Sequence, residues 1–275
     1  MIGAIIGDIN GSVYEFHNYR KKDFKLFASR MSPTDDSVLT IAVMKAFNET
    51  MTLSNNDIHN KEWQSIFKET LIKNFVEYVR RYPSAGYGGM FYNWSKSRDG
   101  YKPYGSYGNG AAMRVSPVGW AANSEEEVKI LSRLVTEVTH NHPEGIKGAE
   151  ATAMAIYLAR TGSSKEQIKE RIKRDYYSQI DSFDYEDLVK NYTFNETCQD
   201  SVPQALYCFL ISKDFEDCIR TTISIGGDCD TTAAISCAVA DAFYSIPDWM
   251  IKETEEYLPT EMVEVIHIFK DIFNK

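Results

Sequence analysis

An all-α fold is predicted for this 275-residue chain on three observations. Apolar residues recur mostly at three- and four-residue spacing rather than alternating, the periodicity of helices. Ser, Thr or Asp stands ahead of several of these runs in helix-starting positions. No repeat, low-complexity tract or Pro/Ser-rich linker divides the chain, so residues 1–275 read as a single domain.

Taken in order, Gly3, Gly7, Gly11 and Glu15 recur every four residues, on a helix a stripe of missing side chains ending in one carboxylate. Tight helix packing accounts for the glycines; Glu15, and with it Asp8, either is solvated or points into a cleft. A helix is expected to start at Thr34-Asp35-Asp36. Trp63, Phe67, Leu71, Phe75 and Val79 form the apolar face of another, closed by Pro83. From Ser84 to Gly119 the chain is dense in glycine, tyrosine and serine, so an irregular, functional segment is expected there. Val128, Leu131, Leu134, Val135 and Val138 mark the next helix, with Ser124 and Glu127 at capping-box spacing. Further helices are predicted after Pro143, after Ser164 with Gln167 as its box partner, from Ser201, from Asp214, through Thr232 to Tyr244, and from Thr260. Pro247 and Pro259 punctuate the last part.

Composition narrows the function. Acidic residues number 39 against 30 basic, a formal charge of −9, which argues against general nucleic-acid or anionic-membrane binding. The opening MIGAIIGDINGS lacks a basic leader and is interrupted by Asp8, and no long apolar run follows, so neither signal peptide nor membrane span is expected. Five cysteines without a C-x-x-C pair suggest neither a disulfide framework nor a zinc site, and a reducing cytoplasm is expected.

Chemistry concentrates in two hard-oxygen clusters, Thr34-Asp35-Asp36 and Asp228-Cys229-Asp230-Thr231, each at a predicted helix start. Capping needs only one side-chain oxygen, whereas both places pair carboxylates with a hydroxyl. Brought together, these groups must protonate or recruit cations, and oxygen donors without His or Cys favour Mg²⁺, Mn²⁺ or Ca²⁺ over zinc. Cys229, between two acids, is a poor nucleophile and reads as packing. Gly105-Ser106-Tyr107-Gly108-Asn109-Gly110 offers backbone N–H groups and glycines suited to wrapping a pyrophosphate, but fits neither the Walker nor the dinucleotide fingerprint. Tyr101 and Tyr104 either stack on a base or are core aromatics. His140 and His142 diverge near a helix end, so a structural or single-contact role is expected.

The strings GAIIGDINGSVYE, PTDDS, GYGG, GSYGNGAAMR, THNHP and GGDCDTTAA, in this order, resemble the ADP-ribosylglycohydrolase family, from Gly3 to beyond Asp241. The resemblance implies an all-α orthogonal helical domain with two Mg²⁺ or Mn²⁺ ions, hydrolysing the bond between ADP-ribose and an acceptor, either a modified protein or a small molecule. By position, it places Thr34, Asp35 and Asp36 on one ion, Asp228 and Thr231 on the other, and Asp230 between them. Glu15 matches the acidic residue beside the scissile bond. Gly86, Gly88, Gly105, Ser106, Tyr107, Gly108 and Asn109 match the diphosphate and ribose loops, His140 a substrate contact, and Tyr101 or Tyr104 the adenine stack. A monomer is expected.

Two other readings compete on motif. Asp228-Cys-Asp-Thr-Thr fits the haloacid-dehalogenase-like D-x-D-x-[TV] pattern, but too few residues follow for its later motifs. The D-D-x-x-D of isoprenoid synthases fails at Leu39. An ADP-ribose-binding or structural member of the same fold, without turnover, is the non-enzymatic alternative.

Overall fold

The computed structural model describes residues 1–53, 57–98 and 100–273, and the last residues of the 1–275 reading, like position 99 within the irregular segment, lie outside them. In chain order its helices are α1 (Gly3–Gly11), α2 (Asp35–Leu53), α3 (Lys61–Arg81), α4 (Gly89–Ser95), α5 (Gly110–Met113), α6 (Ser116–Ala121), α7 (Glu125–Thr136), α8 (Pro143–Arg160), α9 (Lys165–Asp175), α10 (Tyr185–Asn191), α11 (Cys198–Ile211), α12 (Phe215–Ser224), α13 (Cys229–Phe243), α14 (Asp248–Glu256) and α15 (Thr260–Phe273). The fold is all-α. Among the described residues there is no strand, only an isolated bridge between Gly108 and Thr197.

The hub is α13. Its residues from Cys229 to Ala240 are all buried, and it packs against α1, α8, α11 and α12. Its Ala, Ser, Thr and Cys side chains are small enough for those neighbours to come close. The glycine stripe makes the nearest approach. A Cβ built on Gly3 would lie 2.3 Å from the Cys237 carbonyl oxygen, on Gly7 2.2 Å from that of Ala233, and on Gly11 2.5 Å from Cα of Asp230. Helix α1 therefore lies backbone to backbone on α13, antiparallel, and no side chain larger than hydrogen fits between them. Packing explains the three glycines. Glu15 does not continue the stripe, because α1 ends at Gly11 and Glu15 sits in the turn beyond it.

Helix starts follow the expected chemistry in most places. Ser164 and Gln167 complete a reciprocal capping box. At α7 only half the box forms: Ser124 accepts from the Glu127 N–H, while the Glu127 carboxylate accepts from the N–H of Asn123, one residue earlier than expected. Helices α11 and α13 begin three residues before the Ser201 and Thr232 starts read from the sequence. Pro203 lies inside α11, in its second turn, where it gives no N–H to the Gln199 carbonyl. The glycine- and tyrosine-rich segment is irregular over residues 96–98 and 100–109, yet it contains α4, anchored by Phe91 and Trp94 against Phe75 of α3. No helix among the described residues is long and apolar enough to cross a membrane.

Candidate active site

The first turns of α2 and α13 meet in one cleft of about 290 Å³, whose walls include Glu15, Thr34, Asp35, Asp36, Asp228, Asp230 and Thr231. Contact between the two corners is direct: Thr231 Oγ1 donates to Asp36 Oδ2 at 3.2 Å, across 195 positions of sequence. Carboxylate oxygens of Asp8, Asp36 and Asp230 lie within 4.8 Å of one another, and so do those of Glu15, Asp228 and Asp230. Capping does not account for α13, because Asp228 stands at its N-cap without capping it and instead accepts from Asn109 Nδ2 at 2.7 Å. Gly226 and Gly227, at φ +73° and +76°, turn the chain into this start; a side chain on Gly226 would strike the Arg20 guanidinium, and one on Gly227 the Tyr192 ring.

Asp8 plays a part the sequence pattern did not assign. It is fully buried and accepts from the N–H of Thr34 at 2.9 Å, the Thr34 hydroxyl at 2.7 Å, the N–H of Ser37 at 3.0 Å and the Ser37 hydroxyl. A carboxylate from α1 thus caps α2 from outside and fixes the Thr34–Asp36 corner against the glycine stripe.

Charge density in the cleft is high. Burial, then Asp8 and Asp228, push the Asp35 carboxyl up to about 8. Asp36 and Asp230 rise well above the carboxylate range, first through burial and then through neighbouring acids. Glu15, half-buried, is pushed up to about 7 by burial, Asp228, Asp8 and Glu196. Asp36 Oδ1 is buried with no hydrogen-bond partner among the described residues. Carboxylates at this density hold protons or cations. Cys229 is fully buried and its thiol is pushed up to about 12 by burial and Asp228, as expected of a packing residue.

Of the residues expected on the substrate loops, Gly86, Gly88, Tyr104, Ser106, Gly108, Asn109 and His140 line the cleft. Gly105, Tyr107 and Tyr101 are not on its wall. Gly105 donates its N–H to Asn141 Oδ1, Tyr107 is exposed against His142, and Tyr101 packs edge-on to Trp94 over a neighbouring groove. Of the two tyrosines offered for base stacking, only Tyr104 is in the cleft. The histidines diverge as expected: His140 is buried in the cleft wall, whereas His142 caps α8 by accepting from the Glu144 N–H. Arg114, Met90, Phe91 and Glu196 also line the cleft and were not singled out from the sequence. Arg114 follows the glycine loop closely enough to have been a candidate, but spacing does not show that it turns inward.

A sequence profile of the ADP-ribosylglycohydrolase family matches residues 1–274. ADP-ribosylhydrolase ARH3 of Mus musculus is 26% identical over 96% of this chain and 88% of its own length, and that of Bos taurus 27% over 96% and 89%. The ADP-ribosyl-[dinitrogen reductase] glycohydrolase of Rhodospirillum rubrum is 28% identical over 54% of this chain and 52% of its own. A solved structure described as an ADP-ribosylglycohydrolase-related protein complex superposes with a TM-score of 0.69 at 20% identity, covering 98% of this chain and 95% of the other. With its all-α fold and its acid-lined cleft, the chain belongs to the ADP-ribosylglycohydrolase family.

Proposed function

We propose that this hydrolase cleaves the glycosidic bond between ADP-ribose and an acceptor with the help of two divalent cations, Mg²⁺ or Mn²⁺. The observation that carries this reading is the meeting of the α2 and α13 starts beside Glu15 in one cleft. The donors suit such ions: all are hard oxygens, and Asp36 Oδ1 has no hydrogen-bond partner among the described residues. Thr34, Asp35 and Asp36 would hold one ion, Asp228 and Thr231 the other, with Asp230 between them. Asp8 is left to its structural task, since its two oxygens already accept four hydrogen bonds. When bound, the cations supply Lewis acidity and anchor the hydroxyls of the ribose next to the scissile bond.

The chain's own residues do the rest. Glu15, half-buried in the cleft wall beside Asp228 and Asp230, would take a proton from attacking water and return one to the leaving acceptor. Positive charge developing on the ribose is met by the surrounding carboxylates, as in other glycoside hydrolysis. Gly86, Gly88, Ser106, Gly108 and Asn109 hold the diphosphate and ribose, with Tyr104 beside the base. Gly105, Tyr107 and Tyr101, which are off the cleft wall, are given no contact in this reading.

The test is release of ADP-ribose from serine-, arginine- and nucleotide-linked substrates with and without chelator. Glu15→Gln should keep ADP-ribose binding and lose turnover by roughly a hundredfold or more. Near-native turnover would remove Glu15 from the mechanism, and binding without release from any substrate would favour the non-enzymatic alternative.

A further inference from the structure

Arg114 is among the largest fully buried side chains in the protein, and it makes no ion pair among the described residues. Its guanidinium lies over the rings of Phe75 and Phe91, 4.9 and 5.1 Å from their centroids. One terminal nitrogen donates to Thr139 Oγ1 at 2.7 Å and lies 3.3 Å from Nδ1 of His140. Thr139 Oγ1 is 2.8 Å from the same Nδ1.

A guanidinium can only donate, so a ring nitrogen facing it must present a lone pair. A proton on Nδ1 would turn to Thr139 Oγ1, whose hydroxyl can swing to the Thr136 carbonyl at 3.5 Å, but it would leave a buried N–H of Arg114 facing it without an acceptor, whereas an unprotonated Nδ1 accepts from Arg114. The ring proton then belongs on Nε2. That atom has no hydrogen-bond partner among the described residues, and it faces the glycine loop: a Cβ on Gly110 would lie 3.3 Å from it and one on Gly108 3.6 Å. The missing side chains keep the space over Nε2 open on the cleft side.

We infer that Arg114 is a positioning residue that locks His140 as the neutral Nε2–H tautomer, giving the cleft an uncharged N–H donor beside Gly108–Gly110 for an oxygen of a bound diphosphate or ribose. The tautomer is inferred from the Arg114 contact; the ligand's identity rests on the function proposed above. Burial and the Arg114 charge also hold His140 well below the usual histidine range, so it stays neutral while the neighbouring acids change state. Arg114 and the phenol of Tyr104, whose ring lies 5.7 Å from the imidazole, are the titratable groups against it.

Long-range ¹H–¹⁵N spectra of the full chain test this, with the His140 signal assigned by its loss in His140→Gln. The expected wild-type pattern is a pyridine-type Nδ1 and a pyrrole-type Nε2, unchanged from about pH 5 to 8. In Arg114→Met the Nδ1 signal should shift as the Nδ1–H tautomer becomes populated, and affinity for ADP-ribose in Mg²⁺ should fall about tenfold. Arg114→Lys should restore the wild-type spectrum only in part. An Nδ1–H tautomer or a titrating His140 in the wild type overturns the assignment, and needs no variant to fold. So does a folded Arg114→Met with an unchanged spectrum. If the wild-type spectrum is as expected and ADP-ribose does not bind, the ligand reading fails while the role of Arg114 stands.

Discussion

Replacing Gly7 by alanine puts a methyl group where α13 already stands. The new Cβ would lie 2.2 Å from the Ala233 carbonyl oxygen, 2.5 Å from its carbon and 2.9 Å from the Ala234 nitrogen, all backbone atoms that cannot swing aside. Restoring a contact of about 3.5 Å requires α1 and α13 to part by roughly 1 Å. Overpacking of this kind costs about 1–3 kcal/mol, here at the upper end, and alanine's better helix propensity offsets about 1 kcal/mol. A net loss of about 2 kcal/mol corresponds to a fall in Tm of roughly 4–8 °C in a chain of this size. The same displacement separates Asp8, which follows Gly7, from Asp230 on α13, and so loosens the carboxylate cluster. Mg²⁺ affinity should therefore drop about tenfold or more, the scale seen when the supports of metal ligands are lost. Thermal melts and calorimetric Mg²⁺ titrations read both effects. Gly89→Ala, with no atom within 4 Å of the added methyl, is the control and should change stability by less than about 0.5 kcal/mol. Wild-type melting and Mg²⁺ binding in Gly7→Ala would refute the glycine stripe as what sets the spacing of the site.

Other consequences are open to simpler assays. Asp35 and Glu15 hold their protons to higher pH in the folded chain, at about 8 and about 7, than free carboxyls do. As pH rises from about 4 to 8 the unfolded chain releases these protons first, so their contribution to stability declines across that window; the rise in Tm on adding Mg²⁺ should grow between pH 5 and 8, and a gain that shrinks would contradict the assignment. Asp36→Asn replaces a buried carboxyl, held in its neutral form by burial and neighbouring acids, with a neutral group of the same shape, so its Tm in chelator should match or exceed wild type while the Mg²⁺ gain is lost; a retained gain would exclude Asp36 as a ligand. All five cysteines are buried, so a thiol reagent should label none in the native protein and five after denaturation, and rapid native labelling of Cys229 would count against its packing role.

The sequence carried these features unevenly. The acid-hydroxyl corners were legible because each is contiguous, and the Gly3–Gly7–Gly11 stripe because helical spacing is local. That Asp8 caps a different helix was not, since nothing near it in sequence names Thr34 and Ser37 as partners. Arg114 was hidden for the same reason: its cover, Phe75 and Phe91, comes from α3 and α4. Helix α10 escaped because it is short and only Leu188 of its residues is buried, leaving too weak an apolar pattern to read. Tyr101 and Tyr104 stand three apart in an irregular stretch where no periodicity relates them, so only coordinates separate the one in the cleft from the one beside Trp94.

The seam between α1 and α13 ties together stretches read out more than two hundred residues apart. A ribosome must deliver the 195 residues that separate them before Asp36 and Thr231 can touch. If the cluster takes ions as proposed, no fragment lacking either corner holds the whole donor set, so ion capture would report that assembly has finished, and magnesium-dependent protection from proteolysis would time that event in a growing polypeptide.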